Sequence, residues 1–306
     1  MKRIIVLFFL VLIPVIIFSP AGLANGEMEL IFSVDDPAGD DHGPGTYEYP
    51  THDVFAPREG IFDLQKFEIR RSEEYYYFSF LFGELNNPWE GRFDFSLPLI
   101  QLYIDNERGG EEELLQEGAN VRLDPDHSWN KMLKISGWWI RLFTPEDRGE
   151  DFVSLSEEEI DSDYRIEDCS VTTEDNYIHI KLNRDYIGPL EHEYMYILVG
   201  GFDAFGYDHY RGVTGEVSSW QFYDPELESP ESAPRVIDTV LPQGMSQEEV
   251  LADFEEDYPQ ISPVRLGFYG MPSSHKFIII ALMVAVAIIV ALYIIYKRHL
   301  EYRIFG

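Results

Sequence analysis

YIHIKL, residues 177–182, sets Ile178, Ile180 and Leu182 on one side of an extended chain and Tyr177, His179 and Lys181 on the other. A period of two is the signature of a strand with one buried face. Working outward, the same alternation runs through IQLYID, residues 100–105, where Ile100, Leu102 and Ile104 oppose Gln101, Tyr103 and Asp105. Tyr75 to Leu81 is a run of aromatic and other β-forming residues, and Glu193 to Val199 continues in that style. These short runs are separated by Gly, Pro, Asn and Asp, with no helical pattern between them, which argues against α/β layering. The sequence therefore predicts an all-β fold, an antiparallel, jelly-roll-like β-sandwich of about 200 residues from near Met28 to Tyr223.

Composition agrees with a large packed core. Of 306 residues, 45 % are hydrophobic and 15 % aromatic, which is too apolar for a disordered chain. The formal charge is -32, and a surface so acidic would repel a phosphate backbone, so nucleic acid is excluded as a general partner. Neutral ligands and divalent cations suit it better. The one cysteine, Cys169, rules out an intramolecular disulfide framework or a Cys-rich zinc site and is expected as core filler.

The two ends suggest how the domain is displayed. Lys2 and Arg3 precede an uncharged apolar run from Ile4 to Phe18, and Ala21-Gly22-Leu23-Ala24 offers small residues for cleavage, so residues 1–24 read as a signal peptide. Residues 277–296 carry no charge and, at about 1.5 Å per residue, would span a hydrocarbon core of about 30 Å as a helix. Lys297, Arg298 and Arg303 follow, so the positive-inside rule predicts a single-pass membrane protein with residues 297–306 as a cytoplasmic tail and the N-terminal domain extracellular. The ectodomain would then occupy residues 25–266, with residues 267–276 as a stalk.

From Asp224 the composition changes to the acidic, Pro-rich DPELESPESAPRV, which reads as an exposed connection. Ser246 and Glu249 then fit a capping box, followed by Val250, Leu251 and Phe254 as an apolar stripe, predicting a short C-terminal helix.

VDDPAGDDHGPGTYEYPTHDVF, residues 34–55, is the densest acidic stretch. Asp35, Asp36, Asp40 and Asp41 lie within seven residues, and like charges this close raise one another's pKa unless a cation compensates. Calcium is the expected cofactor, because it takes six to eight oxygen ligands in flexible geometry. Asp63, in GIFDLQKFEI at 60–69, is expected to fold back as a fifth ligand, whereas a solvated acidic turn with side-chain-to-backbone hydrogen bonds would need no metal.

Together with NNPW at 86–89, SLPLIQLYID at 96–105, KISGWW at 134–139 and PRVIDTVLPQGMSQEEVL at 234–251, the acidic-Gly stretch resembles the C-terminal module of glucodextranase. The resemblance covers about residues 32–266 and groups the chain with DOMON-like and family 9 carbohydrate-binding β-sandwiches. It implies a non-catalytic module of secreted glucan-active enzymes, with sugar binding and cell-surface attachment as roles. No hydrolase domain accompanies it here.

Sugar binding requires an aromatic face for the pyranose C–H surface and planar polar groups for the hydroxyls. Trp89 follows a turn signal and is expected at a strand end, and a strand through Trp138-Trp139 would send one ring to each face, leaving Trp139 free. Trp220, before Phe222, reads as core. Tyr47 and Tyr49 on the Gly-rich loop are further candidates, with Asn87 and Gln101 as hydroxyl partners. The chain has no G-x-S-x-G or H-E-x-x-H motif, its histidines are scattered, and paired carboxylates carry no information among 55, so an enzyme is not expected.

Three function classes follow. The first is a membrane-anchored glycan-binding module, for α-glucans or related neutral saccharides, working beside a sugar transporter or glycoside hydrolase. The second is a calcium-stabilised structural or adhesive protein associated with the surface layer. The third is a DOMON-type haem carrier, for which no methionine stands out as a ligand.

Overall fold

The computed structural model describes residues 28–266 apart from 151, 153–154, 191–193, 228 and 255–257. The segments expected as signal peptide (1–24), stalk (267–276), membrane helix (277–296) and tail (297–306) lie outside the described residues. Among the described residues no helix is long and apolar enough to cross a membrane.

Eleven strands build two antiparallel sheets. The first holds β1 (Glu29–Asp35), β2 (Leu64–Arg71) and β3 (Tyr75–Phe82). The second begins with β4 (Pro98–Asp105), β5 (Lys131–Ile135) and β6 (Ile140–Phe143). The chain then returns to the first sheet as the hairpin β7 (Cys169–Glu174) and β8 (Tyr177–Asn183). It finishes in the second with β9 (Tyr194–Gly201) and the short β10 (Asp238–Thr239) and β11 (Val264–Arg265). Strand order is β1-β2-β3-β8-β7 in one sheet and β10-β9-β4-β5-β6 in the other, with β11 also pairing β9.

The chain therefore crosses between sheets in blocks of two or three neighbouring strands. A jelly roll passes from sheet to sheet nearly strand by strand, so that part of the sequence expectation is corrected, while the all-β sandwich stands.

Facing side chains of the two sheets make one core. In the first sheet Phe67 lies opposite Phe80, and Phe78 and Phe80 lie opposite Ile180 and Ile178. These meet Ile100, Leu102, Ile104, Leu133, Met195 and Ile197 from the second sheet. Each such side chain contributes about 1.5–3 kcal/mol when fully removed from water.

The outer faces differ. β8 alternates buried and half-buried positions along its length, as its sequence implies, because the outer face of the first sheet meets water. β4 is buried at seven of eight positions. Its second face carries a further apolar layer in which Leu99, Tyr103, Met132, Tyr196 and Leu198 pack against Trp129, Leu115, Phe202, Tyr210 and Leu251. Alternation in IQLYID thus records two different buried surroundings, and Gln101 is fully buried.

Two helices belong to this outer layer. α2 (Gln247–Leu251) forms where the capping pattern places it, with the Ser246 side chain accepting from the Glu249 amide and Leu251 buried. It ends before Phe254. α1 (Glu157–Tyr164) carries a reciprocal capping box between Ser156 and Glu159 and buries one side chain, Ile160. Ile160 and Tyr164, one turn apart, are its only apolar residues, too few for a clear helical stripe, so Ser156 with Glu159 is the sequence signal that marks α1.

Candidate functional site

The strand ends of the second sheet converge at one end of the sandwich. Pro98 at the start of β4 faces Gly201 at the end of β9, and Ile135 at the end of β5 faces Ile140 at the start of β6. The connections that leave these points carry most of the aromatic residues of interest.

The segment after β9, FDAFGYDHYR at 202–211, folds into a tight excursion. Phe202 and Tyr210 form an isolated bridge, the Asp203 amide donates to the His209 carbonyl at 2.8 Å, and Arg211 N donates to Gly201 O at 2.8 Å. Gly200 makes this possible, because a Cβ there would stand 2.4 Å from the Tyr210 ring. Asp208 and His209 have φ of 52° and 64°. A left-handed conformation costs a non-glycine residue about 1–2 kcal/mol. Side-chain bonds offset it: buried Asp208 accepts from the Lys134 ammonium and, at 2.9 Å, from the Gln101 amide. Burial lowers the pKa of Lys134, while the adjacent Asp208 carboxylate opposes that shift.

Around this excursion lies a cleft of about 770 Å³, walled by Trp89, Trp138, Trp139, Phe202, Phe205 and Trp220. Two aromatic groups build it. Phe202 packs against Trp138 at 4.9 Å and Trp139 at 6.2 Å, and Phe55 packs edge-on to Trp89 at 6.2 Å and to Trp220 at 6.3 Å. Arg211 joins them. Its guanidinium donates to the carbonyls of Phe202 and Trp220 at 2.6 and 2.5 Å and lies over the rings of Phe55 and Trp89 at 5.0 and 5.5 Å. Phe205, at the tip of the excursion, is fully exposed.

Polar groups punctuate the apolar wall. Glu157, at the first turn of α1, accepts from Arg141 at 2.7 Å and pairs with His209 Nε2 at 2.9 Å. The His209 hydrogen bond, reinforced by Arg141, holds the Glu157 carboxyl down at about 2. Arg141 is itself buried, with its guanidinium 4.0 Å from the centre of the Trp139 ring, so Glu157 of α1 helps fix the orientation of that tryptophan through its ion pair with Arg141 and its hydrogen bond with His209. Asp203 reaches the cleft with a partly exposed carboxylate, one oxygen of which accepts from the Phe205 amide at 3.0 Å. Such a wall offers flat apolar rings with carboxylates, an imidazole and a guanidinium nearby.

The structure brings Trp89 and Trp139 into this same cleft. Trp138 and Trp139 occupy the turn between β5 and β6 and not a strand, so both rings line the cleft. Trp220 also lines it, 46 % exposed and stacked on His52 at 4.1 Å, which corrects its reading as core. Trp129 is the fully buried tryptophan, its indole donating to the Glu113 carbonyl at 2.8 Å.

The remaining sugar candidates are corrected. Tyr47 and Tyr49 are buried, at 2 % and 6 % exposure: the Tyr47 hydroxyl donates to the Pro234 carbonyl at 2.9 Å and that of Tyr49 donates to the Asp41 carboxylate. The loop wraps inward, turning its aromatics into the core. Gln101 spends its amide on Asp208 and Tyr103. Asn87 folds onto its own turn, accepting from Gly91 N at 2.6 Å and donating to Gly91 O at 3.0 Å, and does not line the cleft.

Glu157, Phe202, Asp203, Phe205, His209 and Arg211 were not foreseen. The one signal was the density of aromatic and charged residues in the short segment 202–211 just past an apolar strand.

The acidic loop is also rearranged. Asp35 points outward with its side chain 86 % exposed, 3.8 Å from Lys66. Asp63 accepts from Gly39 N at 2.9 Å and from Gln65 at 2.7 Å, and Asp41 is held by Tyr49 and the Phe62 amide. Asp36 and Asp40 instead meet Asp238 of β10, one carboxylate oxygen of each lying within 4.8 Å of the others. Burial and the neighbouring Asp40 charge push the Asp36 carboxyl up to about 8, and burial with Asp63 and Asp41 pushes Asp40 to about 6.

Residues 31–264 match the family model described as the C-terminal binding module, SLH-like, of glucodextranase. Comparison with curated proteins returns no significant match.

Proposed function

The chain belongs to the family of the C-terminal, SLH-like binding module of glucodextranase, and from that premise we propose that it is a non-catalytic carbohydrate-binding module whose ligand site is the tryptophan-walled cleft. The observation that carries this reading is the convergence of Trp89, Trp138, Trp139 and Trp220 on one opening at the end of the sandwich. Four of the five tryptophans in the chain line it.

Flat rings fit the C–H faces of sugars, and the Glu157 and Asp203 carboxylates accept hydrogen bonds from hydroxyls. The overall negative charge favours neutral saccharides, with α-glucans as the first class to examine. Affinity should be modest, because hydroxyls already bond well to water and a site open to solvent buries little area. Glu157 is committed to Arg141 and His209, an arrangement suited to holding Trp139 in place.

The same reading places the module outside the cell on the apolar segment 277–296, near a sugar transporter or a glycoside hydrolase, on the strength of the sequence alone. Protease added to intact cells should then remove the domain. The SLH-like description favours a second reading, a structural or adhesive role at the cell surface.

Affinity electrophoresis and calorimetry of the full chain with maltooligosaccharides, pullulan and dextran test the proposal. Binding should appear for at least one neutral glucan and fall about tenfold or more in Trp89→Ala and Trp139→Ala, while Tyr75→Phe on the far sheet leaves it unchanged. If a folded protein binds none of a broad glycan set, the structural reading replaces it.

A further inference from the structure

We propose that Asp36, Asp40 and Asp238 form a calcium-binding site that ties the N-terminal loop to the C-terminal extension. Asp238 carries the argument. It sits in an apolar run, Val236-Ile237-Asp238-Thr239-Val240, and pairs with Val199 of the second sheet. Its side chain is wholly buried, with one oxygen accepting from the Leu64 amide at 2.6 Å and the other without a partner. Asp36 and Asp40 each also bury one carboxylate oxygen without a hydrogen-bond donor. Asp238 is buried as a whole and Asp36 and Asp40 are half-buried, so three unpaired buried oxygens meet in one place, an arrangement that favours a bound cation.

Geometry and chemistry select the ion. Three oxygens within 4.8 Å of one another suit ligands about 2.4 Å from a common centre, the range of calcium–oxygen bonds. Only oxygen donors are present in the cluster, which favours a hard cation over zinc or copper. Beyond the cluster, the charges that act on these groups are further carboxylates, Asp63 on all three and Glu248 on Asp40. The shell is also braced. Gln247 of α2 donates to the Asp40 carbonyl at 2.5 Å and to the Ile237 carbonyl at 3.2 Å, and its own oxygen accepts from Thr239 N at 2.7 Å. One glutamine thereby holds both ligand segments, which lie about 200 residues apart in the chain. A surface cavity of about 360 Å³ that includes Asp36, Asp40 and Thr239 in its wall provides an entry path.

The test is equilibrium dialysis of the full-length chain against calcium, with magnesium as competitor, alongside thermal melts with and without chelator. One calcium should bind per chain in preference to magnesium, and chelation should lower the melting temperature. Asp238→Asn and Asp40→Asn should each weaken binding tenfold or more, while Asp35→Asn leaves it intact because Asp35 faces solvent. Asn at 238 keeps an oxygen for the Leu64 amide. With chelator present, Asp238→Asn should melt above the unsubstituted protein, since a buried repulsion is relieved, and with calcium the order should reverse. A chain that binds no calcium up to millimolar concentration, or an Asp238→Asn variant that binds as tightly as the unsubstituted protein, overturns the proposal.

Discussion

Lys134→Met tests the support beneath the cleft. Lys134 projects from β5 into the outer layer at 3 % side-chain exposure, and its ammonium meets Asp208, whose side chain is 1 % exposed. Methionine keeps the length and apolar contacts of the lysine stem but strands the Asp208 carboxylate with only the Gln101 amide as a charge-stabilising donor. Removing one member of a buried ion pair costs about 3–5 kcal/mol, most of it the desolvation of the remaining charge. At about 2–4 °C per kcal/mol for a domain of this size, the melting temperature should drop by roughly 6–20 °C. Equilibrium unfolding in urea measures the change directly. The double variant Lys134→Met/Asp208→Asn should recover at least half of the loss, because neither member of the pair then carries a charge. The 202–211 excursion hangs on Asp208, so the single variant should also weaken glucan binding. A single-variant loss below about 1 kcal/mol, or a double variant no better than the single, would refute the claim that this pair anchors the excursion.

Other perturbations reach the same site from different directions. Gly118→Ala would place a Cβ 2.2 Å from the Asp208 Cβ and 2.8 Å from the Tyr207 carbonyl, and the overpacking should cost about 1–3 kcal/mol in urea titrations and reduce glucan binding. The Glu157 carboxyl is held near 2 in the folded protein against an ordinary 4.5, so its contribution is fully present above pH 4.5 and is lost as pH falls towards 2. Glu157→Gln should therefore flatten the acid end of the stability profile in that window, and an unchanged acid limb would count against the ion-pair assignment. Tyr49→Phe removes the hydroxyl that bonds the buried Asp41 and accepts from Ile61 N at 3.1 Å, and should destabilise by about 1–3 kcal/mol with glucan binding intact, as expected of a core residue.

The local sequence determined the elements whose surroundings are simple. YIHIKL has water on one side and core on the other, so its alternation maps directly onto β8, and the Ser246 cap marks α2 because capping is settled within one turn. Tertiary structure decided the rest, because burial depends on what packs against the second face. IQLYID alternates just as YIHIKL does, yet a further layer covers its polar side and takes Gln101 and Tyr103 inside. Tyr47 and Tyr49 on a Gly-rich loop read as exposed until the wrapping of that loop places them in the core. The cleft gathers Trp89, Trp139 and Trp220 from three connections, and Asp238 joins Asp36 across some 200 residues of chain. Charge density made a cation plausible from residues 35–41 alone, but only the fold selects which carboxylates turn inward, since that choice is made by the strand pairing of β10 and by the amide of Gln247.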